Sequence, residues 1–308
     1  MRAVPGYRRA VGLTRELITL HSLDGHSHDA LLHHNERLTQ VRARKTGRRT
    51  AQVHIHGIMG NFLVGTLRFL PAAYAAIGFP MLVPETRMGN VGQLFGHAIF
   101  DEALLDLDAA VRWLDDAGYD SLILSGYSSG ATMAVRFAAT RDLPQLRAVV
   151  LYGAPWGLPQ SHEQRCRRWG SDPPYEDVLE MVRREVAADP DARMPDRMFA
   201  IAQSRGPDRL PRHSEVYTWR TWWHTRGPNA VPAMTFRNIG QVRAPILLVQ
   251  GDTDQVVDFD EAVRLQAVAQ AAGNEHTEVL RIEGAGHFFA GCEFAVTQAV
   301  GRWLSRWG

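Results

Sequence analysis

Short apolar runs alternate along the chain with stretches whose apolar residues fall at helical spacing, and glycine or proline usually marks the change. Glu16–Leu20 and Ala30–His33 read as two strands joined across Leu23-Asp24-Gly25, a hairpin. Thr50–Ile55 is a strand, Leu67–Ile77 a helix stopped by Gly78, and Pro80–Val83 a strand. Phe100, Leu104, Leu107, Val111 and Leu114 fall on one helical face, with Asp101 and Glu102 in the first turn and Gly118 at the end. Leu122, Ile123 and Leu124 are bulky without alternation, as in a parallel strand covered on both sides. A helix rich in Ala131, Met133, Ala134, Val135, Phe137 and Ala138 follows, then a buried strand over Arg147–Leu151.

The pattern changes at Gly153–Trp156. From there to about Asn238 no strand pattern recurs, and helices are predicted over Glu176–Ala188, Asp196–Ser204, Ser214–Thr225 and the short stretch Pro232–Phe236. About 80 residues is too long for a loop and small for a domain, so the segment reads as a helical insertion. The alternation resumes with a strand over Pro245–Gln250, a helix over Phe259–Ala271 stopped by Gly273, a strand over Thr277–Ile282 and a closing amphipathic helix over Glu293–Trp307. Strands alternating with helices predict an α/β fold, a parallel sheet with helices on both faces. Residues 1–155 and 239–308 form the core domain and 156–238 the insertion. Neither an internal repeat nor a low-complexity segment is present.

Composition sharpens the picture little. The chain of 308 residues has 45% hydrophobic and 22% charged residues, ordinary globular values that permit a substantial core. A formal charge of +1 gives no reason to expect nucleic acid or an acidic membrane as partner. Lys45 is the only lysine, so the arginine-rich basic set reads as compositional bias. Cys166 and Cys292 belong to no metal or redox pattern, which predicts free thiols in a reducing compartment. Met1–Leu13 lacks the apolar stretch of a signal peptide and no later stretch approaches a membrane span, so a soluble, cytoplasmic protein is expected. Oligomeric state leaves no mark in the sequence.

Two clusters read as structural. His21, His26, His28, His33 and His34 straddle the predicted turn at spacings that match no standard ligand set, so a solvated hairpin is expected rather than a metal site. Arg42, Arg44, Lys45, Arg48 and Arg49 read as a solvated loop before the third strand rather than a nucleic-acid contact.

Candidate chemistry gathers at strand ends. Leu122–Leu124 runs into Gly126-Tyr127-Ser128-Ser129-Gly130, a Gly-x-Ser-x-Gly turn between strand and helix. Glycines on either side let the two elements approach, leaving Ser128 at the apex over the first turn of a helix, where developing negative charge is favoured. Thr50–Ile55 ends in His56-Gly57-Ile58-Met59-Gly60-Asn61, whose glycines allow backbone N–H groups to face a bound group. Pro245–Gln250 leads into Gly251-Asp252-Thr253-Asp254, and Thr277–Ile282 is followed by Gly284-Ala285-Gly286-His287. A serine, an acid and a histidine thus share the carboxyl edge of the sheet, where open α/β sheets bind ligands. A serine hydroxyl needs a base, and an imidazole needs a carboxylate to fix its tautomer and stabilise its charged form. Asp252 and Asp254 both stand as candidates for the acid.

In the order Ser128, Asp254, His287, together with His56-Gly57, Gly126–Gly130, Gly251-x-x-Asp254 and Gly286-His287, the sequence resembles the α/β-hydrolase superfamily over nearly the whole chain outside the insertion. The resemblance implies the α/β-hydrolase fold, an eight-stranded, mostly parallel sheet flanked by helices, its second strand antiparallel, with the helical insertion after the sixth strand as a cap. It implies Ser128 as nucleophile, His287 as general base and acid, Asp254 as its partner, and an oxyanion hole from the backbone N–H groups of Ser129 and Ile58, with Met59 as the alternative to Ile58. Where the family usually carries Asp-x-Arg-Gly-x-Gly, this chain has Glu85-Thr86-Arg87-Met88-Gly89-Asn90. A serine at the turn argues against the dehalogenase and epoxide hydrolase branches.

The expected activity is hydrolysis of a carboxylic ester, thioester or lactone through an acyl-enzyme, acting on a small molecule without cofactor or metal. Acyl transfer to another acceptor would use the same three residues, and a non-catalytic ligand-binding protein on the same scaffold is the reading of another class. Trp156, Trp219 and Trp223 are candidate substrate contacts, with Trp169 and Trp222 beside them, although aromatics at helical spacing also serve as packing between cap and core.

Overall fold

A computed structural model describes residues 12–90, 94–189, 197–204 and 212–307. In chain order the elements are β1 (Thr14–His21), β2 (Ser27–His34), α1 (Glu36–Thr46), β3 (Thr50–Ile55), α2 (Leu70–Ala75), β4 (Met81–Pro84), α3 (Leu104–Asp116), β5 (Ser121–Tyr127), α4 (Ser129–Thr140) and β6 (Leu146–Tyr152). Then follow α5 (Leu158–Trp169), β7 (Ser171–Asp172), α6 (Tyr175–Ala188), β8 (Met198–Ser204), β9 (Arg212–Thr218), α7 (Trp219–Arg226) and α8 (Thr235–Asn238). The chain closes with β10 (Ile246–Gly251), α9 (Phe259–Ala271), β11 (Thr277–Ile282) and α10 (Glu293–Leu304).

Eight strands form one sheet in the order β1-β2-β4-β3-β5-β6-β10-β11. β2 runs antiparallel to β1 and β4, and every other pairing is parallel. Every residue of β3, β4, β5 and β10 is buried, which is why Leu122–Leu124 in β5 is bulky without alternation. Period-two placement survives inside the core. Leu122, Leu124, Val149, Leu151, Ile246 and Leu248 join the cluster containing α3, α4 and α9, whereas Ile123, Ala148, Val150, Leu247 and Val249 join the one containing α2 and α10.

The hairpin is present, but its histidines are not all solvated. His28 and His33 are buried on opposite faces of β2, and burial pushes both imidazoles below their ordinary pKa, His33 to about 4. The basic run is not a loop either. It lies largely in α1, whose Asn35 cap accepts from the Leu38 N–H at 3.2 Å and whose last turn carries Arg44 and Lys45 before left-handed Gly47. Charges at the ends that favour them sustain a helix with little apolar face, while Arg42 stacks 3.6 Å above the Phe79 ring.

The insertion departs furthest from the expected helices. β7, β8 and β9 form an antiparallel three-stranded sheet, so the stretch predicted as the helix Asp196–Ser204 is a strand over its described part. Asp196 lies outside the described residues. The predicted helix Ser214–Thr225 is half strand and half helix, with Thr218 capping α7 by accepting from the Thr221 N–H at 3.2 Å. The alternation that betrays a strand was hidden because two inward positions, Gln203 and Glu215, are polar yet buried. Helix α5, with proline in its first turn, was not predicted at all. Val178, Val182, Ile201, Tyr217, Trp219 and Trp222 pack into a separate apolar cluster.

Gly130 is where β3 and α4 touch: a Cβ there would overlap the backbone carbonyls of Ile55 and His56. Gly130→Ala is therefore expected to lower stability by about 1–3 kcal/mol through overpacking. Urea unfolding measures this, and an unchanged midpoint would contradict the close approach.

Candidate active site

Ser128 sits between β5 and α4 at φ 55 and ψ −121, left-handed backbone that a non-glycine residue rarely adopts. Its N–H donates to the Tyr152 carbonyl at 2.8 Å, and its own carbonyl accepts from Ala131 at 2.9 Å. Gly126 and Gly130 make room for the bend, since a Cβ on Gly126 would overlap the Gly130 backbone. The hydroxyl lies 3.2 Å from Nε2 of His287, and Nδ1 of His287 lies 2.8 Å from Oδ2 of Asp254. With Nδ1–H donating to the carboxylate, Nε2 presents a lone pair to the serine hydroxyl.

Asp254 is held by more than the histidine. Its Oδ1 accepts from the N–H groups of Val256 at 2.7 Å and Val257 at 3.0 Å, and its Oδ2 from the Gln250 amide at 2.9 Å. Burial pushes its pKa up, but the bond to His287, that ring's charge and the two N–H donors together outweigh this and hold it below the ordinary carboxylate value. Asp252 faces elsewhere. It accepts from Arg281 Nε at 3.0 Å and from the Gly284 N–H at 2.7 Å, closing the turn after β11. Gly153, at φ 58, packs where a Cβ would stand 3.2 Å from the His287 ring, and Tyr127 lies against the same ring with centroids 5.0 Å apart.

The loop after β3 is fixed from behind. His56 donates from Nδ1 to the Gly57 carbonyl at 2.8 Å and accepts at Nε2 from the Thr86 N–H at 3.2 Å. Burial lowers its pKa, consistent with a neutral ring that organises the loop. The departure at residues 85–90 has its own logic: Arg87 pairs with both Asp106 and Asp24, Asn90 donates its N–H to Gly60, and Glu85 accepts from the Phe62 N–H at 2.9 Å. Met59 in this loop is left-handed, at φ 51.

A cavity of about 270 Å³ opens over Ser128 and His287. Ile58, Met59 and Ser129 line it, as do Asn90, Tyr127, Val256 and Phe288 from the core and Leu158, Arg165, Glu215 and Arg226 from the insertion. The predicted tryptophans stand apart from it. Trp156 stacks on Phe236 with centroids 4.7 Å apart and planes at 2°, with Arg264 3.9 Å from its ring centroid. Trp219 and Trp223 pack in the apolar cluster of the insertion, where their area is consumed by helix and sheet. Gln250, Tyr127 and the three charged insertion residues were not anticipated, and only the position of Gln250 at the end of an apolar run offered a signal.

Among the described residues one group has metal-ligand proximity: His26, His28 and Asp106, with ligand atoms within 4.8 Å of one another. Asp106 already accepts from Ser22 and from the Arg87 side chain and backbone, so a cation there would face the Arg87 guanidinium.

Residues 52–295 match the family model described as the alpha/beta hydrolase family. No curated protein matches the chain. Solved structures similar to it include the esterase Pf2001 of Pyrococcus furiosus, at 16% identity and TM-score 0.67 over 100% of this chain and 97% of that one. Est1E from Butyrivibrio proteoclasticus is similar at 15% identity and TM-score 0.61, over 94% and 98%. The alpha/beta hydrolase GrgF from Penicillium sp. sh18 is similar at 14% identity and TM-score 0.67, over 95% and 97%.

Burial pushes the Glu85 carboxyl from 4.5 up to about 7. Below about 4.5 it is protonated in both the folded and the unfolded chain; between 4.5 and 7 only the unfolded chain releases the proton. Stability is thus expected to fall as pH rises through that window, by about 3 kcal/mol. Glu85→Gln should flatten this part of the stability profile in urea unfolding. Parallel profiles for the two proteins would exclude Glu85 as the cause.

Proposed function

The chain belongs to the alpha/beta hydrolase family and is a hydrolase, and from that premise we propose that it cleaves a carboxylic ester, or a related thioester or lactone, through an acyl-enzyme on Ser128. The observation that carries this reading is the continuous chain from the Ser128 hydroxyl through His287 to Asp254, at 3.2 and 2.8 Å, at a cavity.

In this mechanism Nε2 of His287 takes the hydroxyl proton as Oγ attacks the carbonyl carbon. Asp254 stabilises the imidazolium that forms, and its bonds to Gln250, Val256 and Val257 keep it oriented as charge develops. The oxyanion is assigned to the N–H groups of Ser129 and of Ile58 or Met59, on residues that line the cavity beside Ser128. The imidazolium then gives its proton to the departing alcohol or thiol, and water attacks the acyl-enzyme with the histidine again as base. The segment 156–238 serves as the cap, since α5, β9 and α7 each place a side chain in the cavity. A small-molecule substrate fits a cavity of about 270 Å³. Among the described residues no helix is long and apolar enough to cross a membrane.

Ser128→Ala is expected to lower kcat on an activated aryl ester by about 10⁴–10⁶ without loss of Tm. A fluorophosphonate should label Ser128 of the unaltered protein. Wild-type turnover by a folded Ser128→Ala protein would rule the mechanism out. Product analysis with water and with added alcohol separates hydrolysis from acyl transfer.

Asp254→Asn is expected to lower kcat by up to about 10⁴. Asp252→Asn, which loosens a turn held to Arg281, should cost far less. The two are compared on one ester at one pH, and the reverse order of effects would reassign the acid.

A further inference from the structure

The cavity over Ser128 opens past an apolar lip that belongs to the core. Of the large apolar residues lining the cavity among the described residues, Val64 and Phe288 are exposed, at 42% and 53%, whereas Tyr127, Leu158 and Val257 are buried. Tyr127 joins the two. Gly65, next to Val64 and left-handed at φ 64, rests on the tyrosine so closely that a Cβ there would stand 3.0 Å from its Cε1, and the Phe288 ring lies 6.2 Å from the tyrosine ring. Phe288 also meets the His287 imidazole edge to face, with centroids 5.7 Å apart. A single exposed apolar residue is ordinary, but two on one cavity lip, connected through Tyr127, make a surface.

The backbone holds Phe288 in this place under strain. A turn closed by the Phe289 N–H on the Gly286 carbonyl at 3.0 Å carries His287 and Phe288 at its centre, and Phe289 is left-handed at φ 54, a conformation rare for a bulky side chain. Phe289 is fully buried, edge to face with Tyr152. With Phe289 anchored in the core, its neighbour stays at the surface beside the imidazole. Strain of this kind persists where the surroundings fix it, and it gathers at functional sites. In ester cleavage by Ser128 and His287, the imidazolium gives its Nε2 proton to the oxygen of the departing alcohol as the carbon–oxygen bond breaks. That oxygen has to come within hydrogen-bond reach of Nε2, so the chain it carries lies against the surroundings of the histidine. Those surroundings are Tyr127 and Phe288, and an apolar chain laid there leaves water together with the lip.

We propose that Val64 and Phe288 form the surface on which the alcohol half of the ester lies, and that the substrate is an ester of an apolar alcohol. Phe288 then determines the leaving group by contact with its chain, while proton transfer stays with His287. The inference rests on the reading of Ser128 as nucleophile; contact with the apolar alcohol is also measured without turnover.

Hexyl acetate and ethyl hexanoate are isomers that carry their apolar chain on opposite sides of the ester, and ethyl acetate is their common reference. In the unaltered protein kcat/KM is expected to be about tenfold or more higher for hexyl than for ethyl acetate. Phe288→Ala should narrow that ratio by about fivefold or more and leave the ratio of ethyl hexanoate to ethyl acetate as it is, while Phe288→Leu should keep most of the dependence on the alcohol. A variant that merely displaced His287 would slow all of these esters by one factor. Equal kcat/KM for the two acetates in the unaltered protein, unchanged ratios in Phe288→Ala, or narrowing of the acyl ratio in place of the alcohol ratio would overturn the proposal. Calorimetry on full-length Ser128→Ala reads the same surface without chemistry. There hexyl acetate should bind about fivefold or more tightly than ethyl acetate, and adding Phe288→Ala should narrow the gap. Turnover and fluorophosphonate labelling of Ser128 with no preference between the acetates removes the surface and leaves the serine mechanism standing. Absence of both removes the mechanism, and the binding gap then decides the surface by itself, equal binding of the two acetates overturning it.

Discussion

The left-handed backbone at Ser128 is the constraint on which the rest of the site depends. A serine held at φ 55 stores strain of about 1–3 kcal/mol and persists only where its surroundings determine it fully. Here they do so from three sides. The Tyr152 carbonyl holds the serine N–H, Gly126 lets the chain fold back on Gly130, and Gly130 lets α4 rest against the end of β3. Each of those contacts needs the central strands to be in register, so the strain at one residue is balanced by the packing of the whole sheet.

The same economy of backbone recurs at the histidine. Gly153 ends β6 beside the imidazole, and Asp254 reaches it from the turn after β10, with Gln250 tying that turn back to its own strand. Ser128, Asp254 and His287 thus hang beyond the ends of β5, β10 and β11, whereas the loop after β3 is positioned by the buried His56 and by residues 85–90. Arg87 in that stretch locks to Asp106 and Asp24, so the altered loop keeps a rigid base although its wording differs from that usual in the family.

Most of the core was legible in the sequence, because strands such as Thr50–Ile55 and Thr277–Ile282 and the helix Phe259–Ala271 are bounded by glycine or proline and patterned by one dominant demand, burial. The three residues at the carboxyl edge were legible for the same reason, each following an apolar run. What escaped has a common physical origin. β8 and β9 bury Gln203 and Glu215, and α1 draws its stability from caps and end charges, so hydrophobic periodicity carried no signal for them. The tryptophans misled in the opposite direction. Trp156 and Trp219 satisfy their area against neighbours in the fold, and the insertion reaches the cavity through Leu158 and through charged residues that a hydrophobic pattern passes over.

β6 and β10 are adjacent in the sheet although the whole insertion separates them, with Val149 opposite Ile246. Closing a loop of about 100 residues instead of 10 costs only about 2 kcal/mol more in chain entropy, so the insertion weighs little on the equilibrium and much more on the time needed to reach it. Ser128 belongs to the stretch before that junction, and Asp254 and His287 to the stretch after it. Ser128 and His287 therefore meet only when the longest-range strand pairing among the described residues has closed, which makes recovery of the site a clock for the end of folding.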